Sequence, residues 1–281
     1  MELLDKKHIN TLIEIALEED VKGGDVTTNA LIPESQMATA TMTAKADGVI
    51  AGLPVARMVF EKLYPETIWT EHIKEGDKVK KGDLIVTIES TFRTLLTGER
   101  LALNFLQRMS GVATQTNEFV KELEDYSTQL LDTRKTIPCL RLLDKYAVKM
   151  GGGTNHRIGL FDLAMIKDNH IKIAGGIANA VKQVRASIPS DIRIEVETTT
   201  LKEVQQAIES GADIIMLDNM DNATMTEAVN IIDGKAQSEA SGNMSVPRLK
   251  GVAATGVDFI SVGALTHSVM ALDISMNIKI N

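Results

Sequence analysis

The chain has little of what cross-links a fold, coordinates a soft metal or spans a membrane. It has one cysteine, Cys139, in 281 residues, which excludes an internal disulfide or a metal site built from a cysteine cluster and suits a reducing compartment. Aromatic residues are 4% of the total, so the core must be assembled from Ile, Val, Leu, Met and Ala. No apolar run approaches the 18 residues of a membrane span. The N-terminal MELLDKKHIN lacks the basic stretch and apolar stretch of a signal peptide. Basic residues are outnumbered, 30 Lys and Arg against 38 Asp and Glu, for a formal net charge of -8. That balance argues against general binding of nucleic acid or of an anionic membrane. There is no HExxH, and no Ser/His/Asp or Cys/His set. GGGTN lacks the Lys-Ser/Thr of a P-loop, and no GxGxxG follows the first barrel-type strand. We expect a soluble, cytoplasmic protein without bound nucleic acid.

What is present is a 44% apolar chain, long enough for one large or two ordinary domains. Ile9, Leu12, Ile13, Ala16 and Leu17 fall at helical spacing. Gly23-Gly24-Asp25-Val26-Thr27-Thr28 reads as a structural turn. Residues 36 to 89 read as short strands, with two Gly-Asp turns in EGDKVKKGD. That segment is similar to the hammerhead of biotinyl and lipoyl carrier domains, but no lysine stands at a hairpin tip in the right context, so a structural β-domain is the better reading. Residues 91 to 125 read as helix in two pieces, divided at Gly111, with Arg108 as a solvated or ion-paired arginine.

From about Ser127 short aliphatic strands alternate with amphipathic helices. The strands are 129–132, 163–166, 192–197, 214–217, 236–240 and 259–262. Helices lie near 138–150, 176–188, 200–210, 222–232 and 246–255. Such alternation implies a parallel sheet, either open and doubly wound or closed as a barrel.

The strand ends carry the information. In order they deliver Arg134-Lys135, Lys167-Asp168, Glu195 with Glu197, Asp218-Asn219, Ser241-Gly242 and Gly263. In a β/α barrel these ends converge on one mouth. Glu195 and Glu197, two apart, must share a face. Residues 133–172 hold eight Lys/Arg against three Asp inside an acidic chain, which points to a pocket for a small, multiply negative ligand. Arg134, Lys135, His156, Arg157 and Lys167 suit a carboxylate or phosphate. Glu197 and Asp218 suit sugar hydroxyls, or a hydrated Mg2+ held mainly through substrate phosphates. Ser241-Gly242-Asn243 and Val262-Gly263-Ala264, with His267 beyond, form glycine-bearing loops of the phosphate-cradling kind. A polycarboxylate and a phosphorylated sugar, brought together, imply glycosyl transfer.

The segments GERLALNFLQRMSGVAT, LLDTRKTIPCLR, KMGGGTNHRIGLFDLAMIKDNHI, IEVE, IMLDN, EASGN and VGALTHS together resemble the quinolinate phosphoribosyltransferase family, the carboxylating nicotinate-nucleotide pyrophosphorylases. The likeness runs from GGDVTT to VGALTHS. It implies an N-terminal α/β sandwich domain (1–110, with about 268–281 packing back on it) followed by an incomplete parallel α/β barrel (111–267). It implies that quinolinate and phosphoribosyl pyrophosphate are converted to nicotinate mononucleotide, pyrophosphate and CO2 with Mg2+, in NAD biosynthesis. It also implies a homodimer in which Arg100 reaches the neighbouring subunit's pocket. By the same resemblance Thr133, Arg134, Lys135, His156, Arg157 and Lys167 line the substrate pocket. Lys135, Lys167, Glu197 and Asp218 become the catalytic set, and Ser241, Gly242, Asn243, Val262, Gly263, Ala264 and His267 fall at the phosphate loops. Ile137 and Cys139 depart from the Thr and Gly that the family often has there. The alternatives are a paralogue acting on another aromatic carboxylate, or a non-catalytic metabolite sensor.

Overall fold

The computed structural model describes residues 4–280. In chain order the elements are α1 (Lys6–Asp20), α2 (Val26–Leu31), β1 (Met37–Ala44), β2 (Gly48–Val49), α3 (Leu53–Leu63), β3 (Ile68–Glu71), β4 (Lys78–Val79), β5 (Leu84–Thr91), α4 (Phe92–Lys121) and β6 (Gln129–Leu131). Then come α5 (Arg141–Met150), β7 (Ala164–Ile166), α6 (Asp168–Ala174), α7 (Ile177–Ser187), β8 (Ile194–Thr198), α8 (Leu201–Glu209), β9 (Ile214–Asp218), α9 (Asn222–Ile232) and β10 (Gln237–Ser241). The chain closes with α10 (Val246–Ala253), β11 (Phe259–Ser261), α11 (Ala264–His267) and β12 (Ile274–Ile280). They form two units, Met1–Asn117 with Ile137–Gly152 and Ser268–Asn281, and Glu118–Thr136 with Gly153–His267.

The first unit is a mixed α/β layer structure around a four-stranded antiparallel sheet in the order β12-β1-β5-β3. β1 shows why: its MATATMTA alternates, and Ala38, Ala40, Met42 and Ala44 are all fully buried on one face. α3 corrects the expectation of strands throughout 36–89. Its buried Val55, Ala56, Val59 and Phe60 recur at helical spacing. Pro54 opens it, and the half-buried Glu75 carboxylate accepts the Gly52 and Leu53 amides at 2.6–3.0 Å. α4 corrects the expected break at Gly111. The helix is continuous, and Gly111 is small because the Met270 carbonyl sits where a side chain would go. The expected division at 110/111 therefore falls inside one helix, and α5, expected among the barrel helices, groups with the first unit. Arg108 is ion-paired, donating to the buried Asp144 at 2.9 Å. Asp25 caps α2 by accepting the Thr28 amide, so the GGDVTT turn is structural.

The second unit is a six-stranded parallel sheet in the order β6-β11-β10-β9-β8-β7. The first strand lies beside the last, Leu130 against Ile260, so the sheet curls into a barrel with its one open seam between β6 and β7. A single bridge from Leu131 to Thr154 lies along that seam. β8 and β9 are buried almost end to end, as strands covered on both faces must be. Helices α7 to α10 follow the strands in turn, and the strand positions read from the sequence hold to within two residues.

Candidate active site

Twenty residues, all from the barrel unit, line a cavity of about 760 Å3 at the C-terminal ends of the strands. Thr133, Arg134, Lys135, His156, Arg157, Lys167, Glu197, Asp218, Ser241, Gly242, Asn243, Gly263, Ala264 and His267 are among them. Two expected residues are not. Val262 is buried, because its amide continues the sheet to Leu131 and its side chain turns into the core. Arg100 lies on α4 of the other unit, where its side chain is exposed.

The basic end is built on Asp132, the buried residue after β6. Its carboxylate accepts Asn155 Nδ2 at 2.6 Å and the His156 amide at 2.9 Å, which pins the GGGTNHR loop. Arg157 then reaches the cavity, with Nη1 donating to the Leu163 carbonyl and Nη2 resting on Met165 Sδ. Burial, and the like charge of Arg134 beside it, lower the affinity of Arg157 for its proton. Two guanidiniums forced together at the rim of a cavity are an arrangement that an anion relieves. Thr266 donates to the Lys135 carbonyl at 2.9 Å, and a side chain at Gly263 would strike the stem of Lys135. That loop therefore needs glycine for a close approach.

Glu195 and Glu197 both point inward, at different depths. Glu197 sits at the mouth, bonded to Lys167 Nζ at 2.6 Å. Glu195 is fully buried below it. Nε2 of His156 lies 3.0 Å from Glu195 Oε2 and 3.2 Å from Glu239 Oε2, a second buried acid from β10. The other ring nitrogen, Nδ1, accepts the Arg157 amide at 2.7 Å. This contact assigns the tautomer, with the proton on Nε2 between the carboxylates. The three side chains are close enough together to hold an ion. A metal on Nε2, however, would move the ring proton to Nδ1, where the Arg157 amide already points. Burial opposes a charge on the ring and the two acids favour it, but a second ring proton would meet the Arg157 amide that Nδ1 accepts, and this contact fits a ring with one proton, on Nε2. Burial raises the pKa of Glu195, and the charge of Glu239 adds to the rise. His156, grouped from the sequence with the residues suited to a carboxylate or phosphate, lines the cavity with its ring held from both nitrogens.

The acidic end is held by side-chain amides. Asn219 donates to Asp218 at 2.8 Å and accepts from Asn243 at 3.3 Å. Arg248 ties both loops, donating to the Gly242 and Met220 carbonyls. Gly242 has φ +98°, and a Cβ there would collide with the Asn219 side chain. Sequence reasoning missed Glu239, Arg248 and Asp132, along with the apolar lining of Met165, Met216 and Met244. Glu239 did carry a signal, since like Glu195 it is an acid inside a strand.

Residues 112–277 match the family described as quinolinate phosphoribosyl transferase, C-terminal domain, and residues 25–110 match the corresponding N-terminal domain. The chain belongs to the quinolinate phosphoribosyltransferase family. A probable carboxylating nicotinate-nucleotide pyrophosphorylase of Synechocystis is 45% identical over 268 residues, covering 94% of this chain and 90% of that one. Its Bacillus subtilis counterpart is 42% identical, covering 94% and 91%. Among solved structures, NadC from Streptococcus pyogenes superposes with a TM-score of 0.95 at 41% identity over 98% of both chains. The nicotinate-nucleotide pyrophosphorylase of Francisella tularensis does so with 0.95 at 42%, also over 98% of each. For a quinolinate phosphoribosyltransferase the open-seamed barrel and its charge-sorted mouth are accounted for together. Ile137 and Cys139 lie in the first unit, outside the cavity lining.

Proposed function

We infer that this enzyme joins quinolinate to the ribose of phosphoribosyl pyrophosphate at the barrel mouth, releasing pyrophosphate and CO2 to leave nicotinate mononucleotide. The observation that carries the site assignment is the sorting of charge across one cavity, with Arg134, Lys135 and Arg157 at one end and Glu197 and Asp218 at the other. Quinolinate, a flat dianion, fits the guanidinium end, where arginine forks match carboxylates. The thioethers of Met165, Met216 and Met244 offer a soft apolar surface for its ring. The ribose and its phosphates fit the acids and the glycine loops.

The chemistry follows from charge. As the C1–O bond to pyrophosphate breaks, positive charge builds on the ribose ring, as in glycoside chemistry, and Glu197 and Asp218 stand at the end of the cavity where it develops. Lys135 and Lys167 take up the charge of the departing pyrophosphate. The pyridine nitrogen supplies its lone pair to C1 and needs no base. Once ribosylated, the ring nitrogen is cationic, and its charge stabilises the electron pair left on the adjacent ring carbon when the carboxylate departs as CO2. That carbon then takes a proton. A phosphate oxygen competes with Glu197 for Lys167, so binding of the sugar phosphate frees the acid for ribose hydroxyls.

Mg2+ fits this end of the site, because Glu197 and Asp218 are hard oxygen donors beside the place for phosphates. When bound it would supply charge neutralisation to the pyrophosphate. In our reading the enzyme is a homodimer with Arg100 acting in the partner's pocket. The exposure of Arg100 on α4 and of Leu160 and Phe161, each over 70% exposed in the loop beyond Arg157, supports a covered surface. No helix among the described residues is long and apolar enough to cross a membrane, and the single exposed cysteine suits the cytoplasm.

The test is turnover. Purified protein with Mg2+ should release CO2 from carboxyl-labelled quinolinate only when phosphoribosyl pyrophosphate is present, and chelation should stop it. Activity on nicotinate or nicotinamide in place of quinolinate, or ligand binding without turnover, would refute the assignment.

A further inference from the structure

The buried acid pair has no place in the reaction just described. Glu195 and Glu239 come from β8 and β10, the strands on either side of β9. Both side chains are fully buried, and so are all four of their oxygens. Glu239 forms part of the cavity floor, while Glu195 lies outside the lining. Placing two carboxylates inside a barrel is costly, because each loses its hydration. Ile214 and Met216 of β9, the register partners of Glu195 and Glu239, are buried apolar side chains at the same levels of the sheet. What the two acids have in common is close approach to one ring nitrogen, His156 Nε2, at 3.0 and 3.2 Å, an electrostatic contact and not an aligned hydrogen bond.

The peptide between His156 and Arg157 is clamped from three directions. Asp132 takes the His156 amide. The His156 ring takes the Arg157 amide on Nδ1. The two acids take the ring's far side, which stops it from turning and carrying that amide with it. A χ rotation of His156 would break the bond between Nδ1 and the Arg157 amide, and the two acids lie against the ring's far nitrogen.

We propose that Glu195 and Glu239 are positioning residues, which hold the His156 ring from beneath so that Arg157 is aimed at a carboxylate of quinolinate. The proposal rests on assigning the Arg134–Arg157 end of the cavity to quinolinate. It distinguishes the acids of this barrel by depth: the pair at the mouth faces the sugar phosphate, and the buried pair serves the other substrate.

The test uses the full-length enzyme with E239Q alone and with E195Q and E239Q together, both of which keep side-chain volume. In the double variant the quinolinate KM should rise about 10-fold, as when the electrostatic contact that positions a binding group is lost. The KM for phosphoribosyl pyrophosphate should stay within about twofold, since its cavity end is untouched. A merely structural role would raise both together or leave both unchanged, and either result overturns the proposal. 15N NMR of histidine-labelled wild type gives an independent reading: His156, assigned by its loss in a His156 variant, should carry its proton on Nε2 with Nδ1 bare at neutral pH. A proton on Nδ1 would overturn the proposal even if the double variant failed to fold, in which case E239Q supplies the kinetic comparison. Wild type without quinolinate turnover would instead sink the functional assignment, a failure seen before any variant is made.

Discussion

Arg157→Lys isolates geometry from charge. Arginine has five N–H donors. In Arg157 one contact goes to the Leu163 carbonyl at 3.1 Å and one to Met165 Sδ at 3.4 Å, which leaves three N–H groups for a ligand carboxylate. Lysine at this position keeps the positive charge but presents a point, so it cannot match both oxygens of a planar carboxylate. The loss is one charge-assisted hydrogen bond, about 1.5–3 kcal/mol. At 1.36 kcal/mol per decade this is about a 10- to 150-fold fall in kcat/KM for quinolinate. Stability should change by less than about 1 kcal/mol, because the half-buried side chain gives up only its contacts to Leu163 and Met165. The assay is steady-state CO2 release with each substrate varied in turn, beside a thermal melt. If kcat/KM for quinolinate fell by less than about threefold, or if the loss appeared in the KM for phosphoribosyl pyrophosphate, the carboxylate would lie elsewhere.

Gly242→Ala forces a side chain into the left-handed region at φ +98° and against Asn219. It should cost about 1–3 kcal/mol in stability and weaken phosphoribosyl pyrophosphate binding while sparing quinolinate, because Asn219 is what braces Asp218; equal effects on both substrates would contradict this. Asp213 titrates low in the folded state: burial works to raise its pKa, but the Arg185 guanidinium and the Ile194 amide outweigh it. Its contribution is therefore complete above the ordinary aspartate value of 3.8 and is lost as pH falls through the lower folded value. Melts of Asp213→Asn should converge with wild type in acid and fall below it near neutrality. For the shared site, Arg100→Ala and Lys167→Ala should each be inactive alone, and mixed dimers should recover up to about a quarter of wild-type activity by random subunit assortment. No recovery after subunit exchange would place Arg100 in its own subunit's work.

The barrel was readable because its strands are short aliphatic runs that stop at charged or glycine residues, as in IIMLD and IEVET. Two-residue spacing also put Glu195 and Glu197 on one face correctly. The first unit was harder. LPVARMVFEKL is so rich in apolar residues that its helical spacing was masked inside a stretch of strands, and Gly111 looks like a helix break in one dimension. Only the Met270 carbonyl explains why it must lack a side chain. Val262 was counted at the mouth because it sits beside Gly263, yet alternation along a strand turned it inward.

By itself the sequence determined the alternation of strands and helices, the basic excess before Lys172, and the family, since each depends on residue type and near-neighbour spacing. The tertiary structure decided depth and partnership. Glu195 and Glu197 are chemically the same acid, and their spacing cannot say which one meets Lys167 at the mouth and which one meets His156 in the interior. Nor can it reveal that Glu239, more than 40 residues further on, completes that contact. Burial and mutual orientation arise only when strands from separate parts of the chain close into one barrel, and these set whether a charged group is offered to a ligand or used to hold another side chain.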